Sequence, residues 1–319
     1  MLFRVVVVWV ISLAMLGAGV ASGQEFPNKA IRIVSTGAGG GNDFVARIIA
    51  QALTGNLGQQ VIVENRPGAN GIIAAQTVAK AAPDGYTLLN YSGGFWLLPF
   101  LQKVPYDPVK DFSPVTLAVS SPSILVVHAS LPVKSVKELI ALAKARPGDL
   151  NYGTGSTGST PHLAAELFKA MAGVNILRIP YKGSGVALNA ILVGEVQLVF
   201  ATAGPVGPHV KSGRLKALAV TSLKPSALAP GLPTVAATLP GYDAASVFGV
   251  FAPAKTPAAV INRLNQELVR VLNGADVKEK FLAAGIETVG TSPQEFAATI
   301  KSEMDRMGKV IKDAGIRGE

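Results

Sequence analysis

Ala30-Ile31-Arg32-Ile33-Val34-Ser35-Thr36-Gly37-Ala38-Gly39-Gly40-Gly41-Asn42-Asp43-Phe44-Val45-Ala46-Arg47-Ile48-Ile49 decides how this chain folds. Ala30–Ser35 is short, apolar and rich in β-branched residues, the composition of a buried strand. Phe44, Val45, Ile48, Ile49 and Leu53 recur at helical spacing, so Phe44 to Leu53 reads as an amphipathic helix. Between them, Thr36 to Asp43 is mostly backbone. Glycines let a ligand approach the main chain and its N–H groups. The helix aims the positive end of its dipole at the same spot. Together these form an anion site that needs no cationic side chain.

The same grammar repeats outward. Gln60–Glu64 reads as a strand closed by the turn Asn65-Arg66-Pro67-Gly68. Ile72 to Ala81 reads as a helix, and Tyr86–Leu89 as a third strand that leads into Asn90-Tyr91-Ser92-Gly93-Gly94. In the middle third, Ile124–His128 is a strand, and Ser135 to Glu138 has the capping-box spacing of a helix start. Asn151-Tyr152 opens Gly153-Thr154-Gly155-Ser156-Thr157-Gly158-Ser159-Thr160, with Thr160 read as the N-cap before Pro161 of a helix to Met171. Asn175–Pro180, Gln197–Ala201 and Leu215–Thr221 read as strands, and Val186–Val193 as a short helix. Thr256-Pro257 and the capping box Ser292-Pro293-Gln294-Glu295 open two further amphipathic helices. The class is α/β. Loops after strand carboxyl ends are where ligands sit in such sheets. Glycine- and hydroxyl-rich loops in both halves therefore predict a cleft gripped from two sides.

The N-terminus addresses the compartment. Arg4 is followed by the uncharged apolar stretch Val5–Val20 and the small residues Ala21-Ser22-Gly23. Sixteen residues fall short of the roughly 20 that a membrane span needs. Residues 1–23 therefore read as a cleaved signal peptide. Losing Arg4 takes the formal charge from +9 to +8. The chain has no cysteine, which excludes a lipid-anchoring thiol, disulfides and thiolate metal sites. Lys and Arg are scattered singly, without the basic runs of a nucleic-acid binder.

Catalytic chemistry finds little support. The glycine loop resembles a dinucleotide fingerprint, and Glu64 ends the next strand, but Asn42 occupies the third glycine position. No Gly-Lys-Ser/Thr follows for a phosphate loop, and no Gly-x-Ser-x-Gly elbow occurs. Of the histidines, His128 ends a strand and reads as structural, and His209 sits in an apparent exposed turn. His162, in the first turn of a helix beside the second glycine loop, is the one placed near a ligand. The spacing supports no zinc site. Asp43 has two compatible roles: an acid complementing the helix dipole, and an organiser of the loop.

Phe26-Pro27-Asn28-Lys29-Ala30-Ile31-Arg32-Ile33-Val34, Val63-Glu64-Asn65-Arg66-Pro67-Gly68-Ala69 and Pro83-Asp84-Gly85-Tyr86-Thr87-Leu88-Leu89 resemble a known family. So do Asn151-Tyr152-Gly153-Thr154-Gly155-Ser156, Pro180-Tyr181-Lys182-Gly183 and Gly213-Arg214-Leu215-Lys216-Ala217-Leu218-Ala219-Val220-Thr221-Ser222. In order and over the whole mature chain, these are similar to the Bug-type periplasmic receptors of tripartite tricarboxylate transporters.

The resemblance implies a two-lobed, type II-like periplasmic binding protein, each lobe a β-sheet flanked by helices. Lobe 1 would be residues 24–122 plus 248–319, and lobe 2 residues 123–247, with hinges near Ser120–Ile124 and Ser246–Val250. It implies a monomer that holds a small organic anion and passes it to inner-membrane permease subunits. No cofactor, metal, catalytic residue or nucleic acid is involved. Carried over, the first lobe offers Thr36, Gly37, Ala38, Gly39, Gly40, Asp43 and Ser92. The second offers Gly155, Ser156, Ser159, Thr160 and His162, with Tyr181 as a wall and Ala201 after the Val-Phe strand. Many relatives have an aspartate in that last stretch; Ala201-Thr202 here disfavours an amino-acid ammonium. A di- or tricarboxylate, or an aromatic carboxylate beside Phe95 and Trp96, is the expected ligand, although core burial also accounts for those two rings. A periplasmic enzyme or a sensor-type receptor on the same architecture is the alternative.

Overall fold

The computed structural model describes residues 26–155, 157–181 and 183–317. The signal peptide read at 1–23 and the candidate contact Ser156 lie outside the described residues. The chain begins β1 (Ile31–Ser35), α1 (Gly41–Leu57), β2 (Val61–Asn65), α2 (Ile72–Ala79), β3 (Thr87–Ser92) and α3 (Gly94–Leu101). It continues with β4 (Phe112–Ser121), β5 (Ser123–His128), α4 (Val136–Ala145), β6 (Asn151–Thr154), α5 (Thr160–Ala172) and β7 (Leu177–Pro180). Then come α6 (Ser184–Leu192), β8 (Leu198–Thr202), α7 (Ala203–Lys211), β9 (Leu215–Val220) and β10 (Ser246–Pro253). The end is α8 (Ala258–Leu272), α9 (Ala275–Ala283), β11 (Glu287–Thr288) and α10 (Pro293–Asp313).

Two sheets result, flanked by helices. The first has the order β11-β4-β10-β3-β1-β2, the second β7-β6-β8-β5-β9. β1 pairs in parallel with β2 and β3, so the glycine loop emerges at a strand's carboxyl end inside the sheet. β6 pairs in parallel with β7 and β8, which places the second glycine loop equivalently. The chain leaves the first sheet at Pro122, between β4 and β5, and returns to it at β10, where Ser246 pairs with Ser121. The long C-terminal helix α10 packs on β4 and α3 and also on α5, so it bridges elements of both sheets.

Local chemistry explains most boundaries and several departures. α1 begins at Gly41, one turn before the expected Phe44, because the Gly40 backbone is extended and its carbonyl accepts the Phe44 N–H at 2.9 Å. Gly58 at φ 63° ends it in the left-handed conformation that glycine adopts most cheaply. Val45, Ile49 and Leu53 face the core, while Phe44 remains 39% exposed, edge-on to Phe281. The N-cap of α5 is Ser159, not Thr160: Ser159 is extended, at ψ 155°, and Thr160 is already helical. His209 lies in the last turn of helix α7 rather than in a turn. Phe95 and Trp96 are fully buried in an aromatic cluster with Tyr106, Phe112, Phe251 and Phe296. They are therefore core residues and not a ligand platform. No helix among the described residues is long and apolar enough to cross a membrane.

Candidate functional site

The first loop is built by Asp43. Its carboxylate accepts the Gly39 N–H at 2.9 Å, the Arg47 Nε at 3.0 Å and the Asn65 Nδ2 at 2.8 Å. Asn65 also donates to the Thr36 carbonyl at 3.0 Å, tying β2 to the loop. Burial acts to raise the Asp43 pKa, but the Arg47, Gly39 and Asn65 bonds outweigh it and hold the carboxyl below its ordinary value. Asp43 is thus the loop's organiser, and the Gly39 amide points inward to it. Asn42 donates to the Thr36 Oγ1 at 3.1 Å, which leaves the threonine hydroxyl proton to point elsewhere.

The second loop has two supports. Gly158 donates its N–H to Nδ1 of His162 at 3.0 Å, which places the ring proton on Nε2. Burial, reinforced by the nearby Arg178 charge, pulls the His162 pKa down to about 4, so the ring is neutral at pH 7. Arg178, on β7, donates to the Gly155 carbonyl and to the Thr157 Oγ1, each at 3.2 Å. It pairs with no carboxylate among the described residues, so its charge stands uncompensated behind the loop. Sequence reading missed Arg178, whose strand lies far from the loop along the chain. The Ser159 hydroxyl is buried and has no partner.

Between the loops lies a cleft of about 760 Å³. Thr36, Gly37 and Asn42 line one side; Thr157, Gly158 and Ser159 line the other. Ser92 and Tyr91 lie between them, and Pro67, Gly68, Asn70 and Gly71 form the rim. Among the described residues, no charged side chain lines it. Of the residues expected from sequence, Thr36, Gly37, Ser92 and Ser159 reach this surface. Thr160 lines an adjoining pocket of about 200 Å³. Ala38, Gly39, Gly40, Asp43, Gly155, His162, Tyr181 and Ala201 line neither space. Ala201 is held in β8 opposite Ile124. Gly155 is pressed against the Gly183–Ser184 backbone, where an added Cβ would sit 3.3 Å from an amide nitrogen.

The rim segment was legible only as a turn. Asn70 and Gly71 adopt positive φ, 51° and 85°, and Tyr91 Oη donates to the Asn70 carbonyl. A Cβ on Gly71 would meet that Oη at 2.0 Å, so the close approach requires glycine. Among the described residues there is no group of three or more His, Asp or Glu able to hold a metal ion.

This surface of hydroxyls and backbone, with a helix dipole and the half-buried Arg178 guanidinium behind it, suits an anion. The family model described as "Tripartite tricarboxylate transporter family receptor" matches residues 45–316. The chain belongs to that receptor family. BugT of Bordetella pertussis is 36% identical over 97% of this chain and 97% of its own length. The protein of the tcbD-tcbE intergenic region of Pseudomonas sp. strain P51 is 38% identical over 90% of this chain and 87% of its own.

Solved receptors share the architecture. Rpa4515 of R. palustris, determined with adipate, is 38% identical over 92% of this chain and all of that one, with a TM-score of 0.70. MatC of Rhodopseudomonas palustris, with bound malate, is 30% identical over 90% of this chain and 100% of its own, with a TM-score of 0.66. A TctC solute-binding protein from Polaromonas, without ligand, is 26% identical over 90% of this chain and 99% of its own; its TM-score is 0.84. The receptor is thus two-lobed, each lobe built on one sheet.

Proposed function

We propose that this receptor is exported to the periplasm, where it captures a small organic acid, either a di- or tricarboxylate or an aromatic carboxylate. It then delivers the acid unchanged, as a monomer, to inner-membrane permease subunits. The observation that carries this reading is the convergence of two glycine-hydroxyl loops on one cleft. Adipate and malate in the two related receptors support a carboxylate ligand. The ligand carboxylate meets the Thr36 and Ser159 hydroxyls, the Ser92 hydroxyl and the backbone at Gly37. Asp43, Gly39 and His162 act one layer back, by shaping the loops.

The lobes are residues 24–122 plus 248–319 and residues 123–247, a division supported by which strands join which sheet. Closure bends the chain near Ser120–Ile124 and Ser246–Val250. The higher TM-score against the ligand-free Polaromonas protein, despite its lower identity, supports an open arrangement of the lobes here.

A thermal-melt screen tests the reading. A ligand present at 100 times its Kd stabilises a protein by about 2.7 kcal/mol, which is several degrees of Tm at this size. Adipate, malate, citrate or benzoate should shift the melt, whereas glucose should not. A shift by sugars or neutral α-amino acids alone would contradict the ligand class. Turnover of any of these compounds would favour an enzyme on the same fold.

A further inference from the structure

The pocket of about 200 Å³ opens off the cleft, sharing Ser92, Leu101, Gly158 and Ser159 with it. Most of its wall is apolar: Leu97, Leu101, Leu163, Val247 and Met307 contribute. Among the described residues one acid faces this space, Glu303 of α10. Its Oε2 accepts the indole N–H of the buried Trp96 at 2.8 Å, which fixes the side chain. The other oxygen, Oε1, has no hydrogen-bond partner among the described residues. One carboxylate oxygen is thus tied to the protein, while the other is free to accept a hydrogen bond from a group entering the pocket.

Its electrostatic setting adds to the geometry. Burial pushes the Glu303 pKa up to about 7, against the lowering effects of the Trp96 bond and the Arg306 charge, with Asp243 raising it further. A second ligand carboxylate placed here would meet an acid that is partly ionised at neutral pH. A hydroxyl or ammonium would meet an acceptor.

We propose that this pocket is the subsite for the end of the ligand remote from its anchoring carboxylate, and that Glu303 selects acids carrying a hydrogen-bond donor at that end. The inference rests on the carboxylate-receptor reading above and narrows it, by the far-end group, to hydroxy- and amino-substituted acids. Ala201-Thr202 argued against an amino acid because no acid stood near β8; Glu303 supplies one from another element, at the opposite end of the ligand. The apolar wall accommodates the methylene chain between the two ends.

The test is a calorimetric titration of the full mature receptor at pH 8 with four matched probes: hexanoate, adipate, ω-hydroxyhexanoate and ω-aminohexanoate. The donor-bearing acids should bind roughly tenfold or more tighter than hexanoate and adipate, the gain expected of a hydrogen bond to a charged group. Glu303→Gln, which keeps an oxygen for Trp96, should lose the preference for the ammonium over hexanoate. Glu303→Leu should erase the preference for both donors. Near-ultraviolet circular dichroism of the Trp96 environment checks that each variant is folded. If wild-type protein binds all four probes equally, or if Glu303→Gln keeps the full ammonium preference, Glu303 is only a structural partner of Trp96 and the subsite is refuted. If no acid binds to the wild type at all, the carboxylate reading falls first and this inference with it.

Discussion

The Gly158 amide donates to Nδ1 of His162 across 3.0 Å, and this single bond fixes both the turn of the second loop and the tautomer of the ring. His162 is 3% exposed, so protonating Nδ1 would break the bond and place a charge in the protein interior beside Arg178.

The sign of the pH effect follows. The folded pKa is about 4 against an ordinary 6.5, so the unfolded chain binds the proton more readily. The stability this site contributes is fully present above pH 6.5 and is lost as pH falls through 4. The loss totals roughly 3 kcal/mol. Urea titrations of the wild type and of His162→Asn between pH 7 and pH 4 measure it. The wild type should fall more steeply than the variant by that amount. Parallel curves would remove His162 as the cause.

Asp43→Ala should destabilise the receptor by about 1–3 kcal/mol, because Asn65, Arg47 and the Gly39 amide all lose their acceptor. The loop should loosen with it, so the affinity for the best acid in the melt screen should drop at least about tenfold. Asp43→Asn keeps an oxygen for Gly39 and should be milder in both respects. A variant of full affinity would show that the first loop needs no such brace.

Gly71→Ala should be severe for so small a change. The new Cβ would collide with the Tyr91 ring at a backbone angle of φ 85°, and either Tyr91 or the rim at Asn70 must move. A cost of about 2 kcal/mol or more is expected, read as a shift in the denaturation midpoint. Gly213→Ala, also at positive φ but with nothing near its Cβ, is the control and should cost about 1 kcal/mol.

Ser292→Ala tests the helix that bridges both sheets. Ser292 accepts the Glu295 N–H at 3.2 Å and Glu295 accepts the Ser292 N–H at 2.9 Å, a reciprocal cap on α10. Removing it should cost about 1 kcal/mol, or roughly 2–4 °C in Tm by calorimetry. An unchanged Tm would mean that packing alone holds the helix start.

Elements whose signals are local were legible in the sequence. β1, the first glycine loop and α1 follow from hydrophobic period and glycine content. Ser135 and Ser292 both cap helices where the Ser-x-x-Glu spacing put them, but only Ser292–Glu295 closes the reciprocal box, since Glu138 accepts from the Lys134 N–H instead. Elements made by distant partners were not. β4 and β10 pair antiparallel across more than a hundred residues, with two register shifts that break any clean alternation. α3 begins at glycine and contains Pro99, and α7 contains Pro208, so neither carries a clear helical signal in the sequence. The site divides the same way. Thr36, Gly37, Ser92 and Ser159 were recognisable as exposed loop chemistry. Asn70, Tyr91, Arg178 and Glu303 were not, because each joins the site only through tertiary packing. Gly39 and Asp43 were found for the right loop, yet their hydrogen bonds turn toward each other rather than toward the cleft.

A crystal structure of the receptor soaked or grown with the tightest acid from the melt screen tests the central claim most directly. The account predicts the ligand carboxylate between the two loops, with oxygens about 2.7–3.2 Å from the Thr36 and Ser159 hydroxyls and from backbone amides of both glycine segments. A carboxylate bound to one loop alone, or seated anywhere outside the cleft, would contradict it.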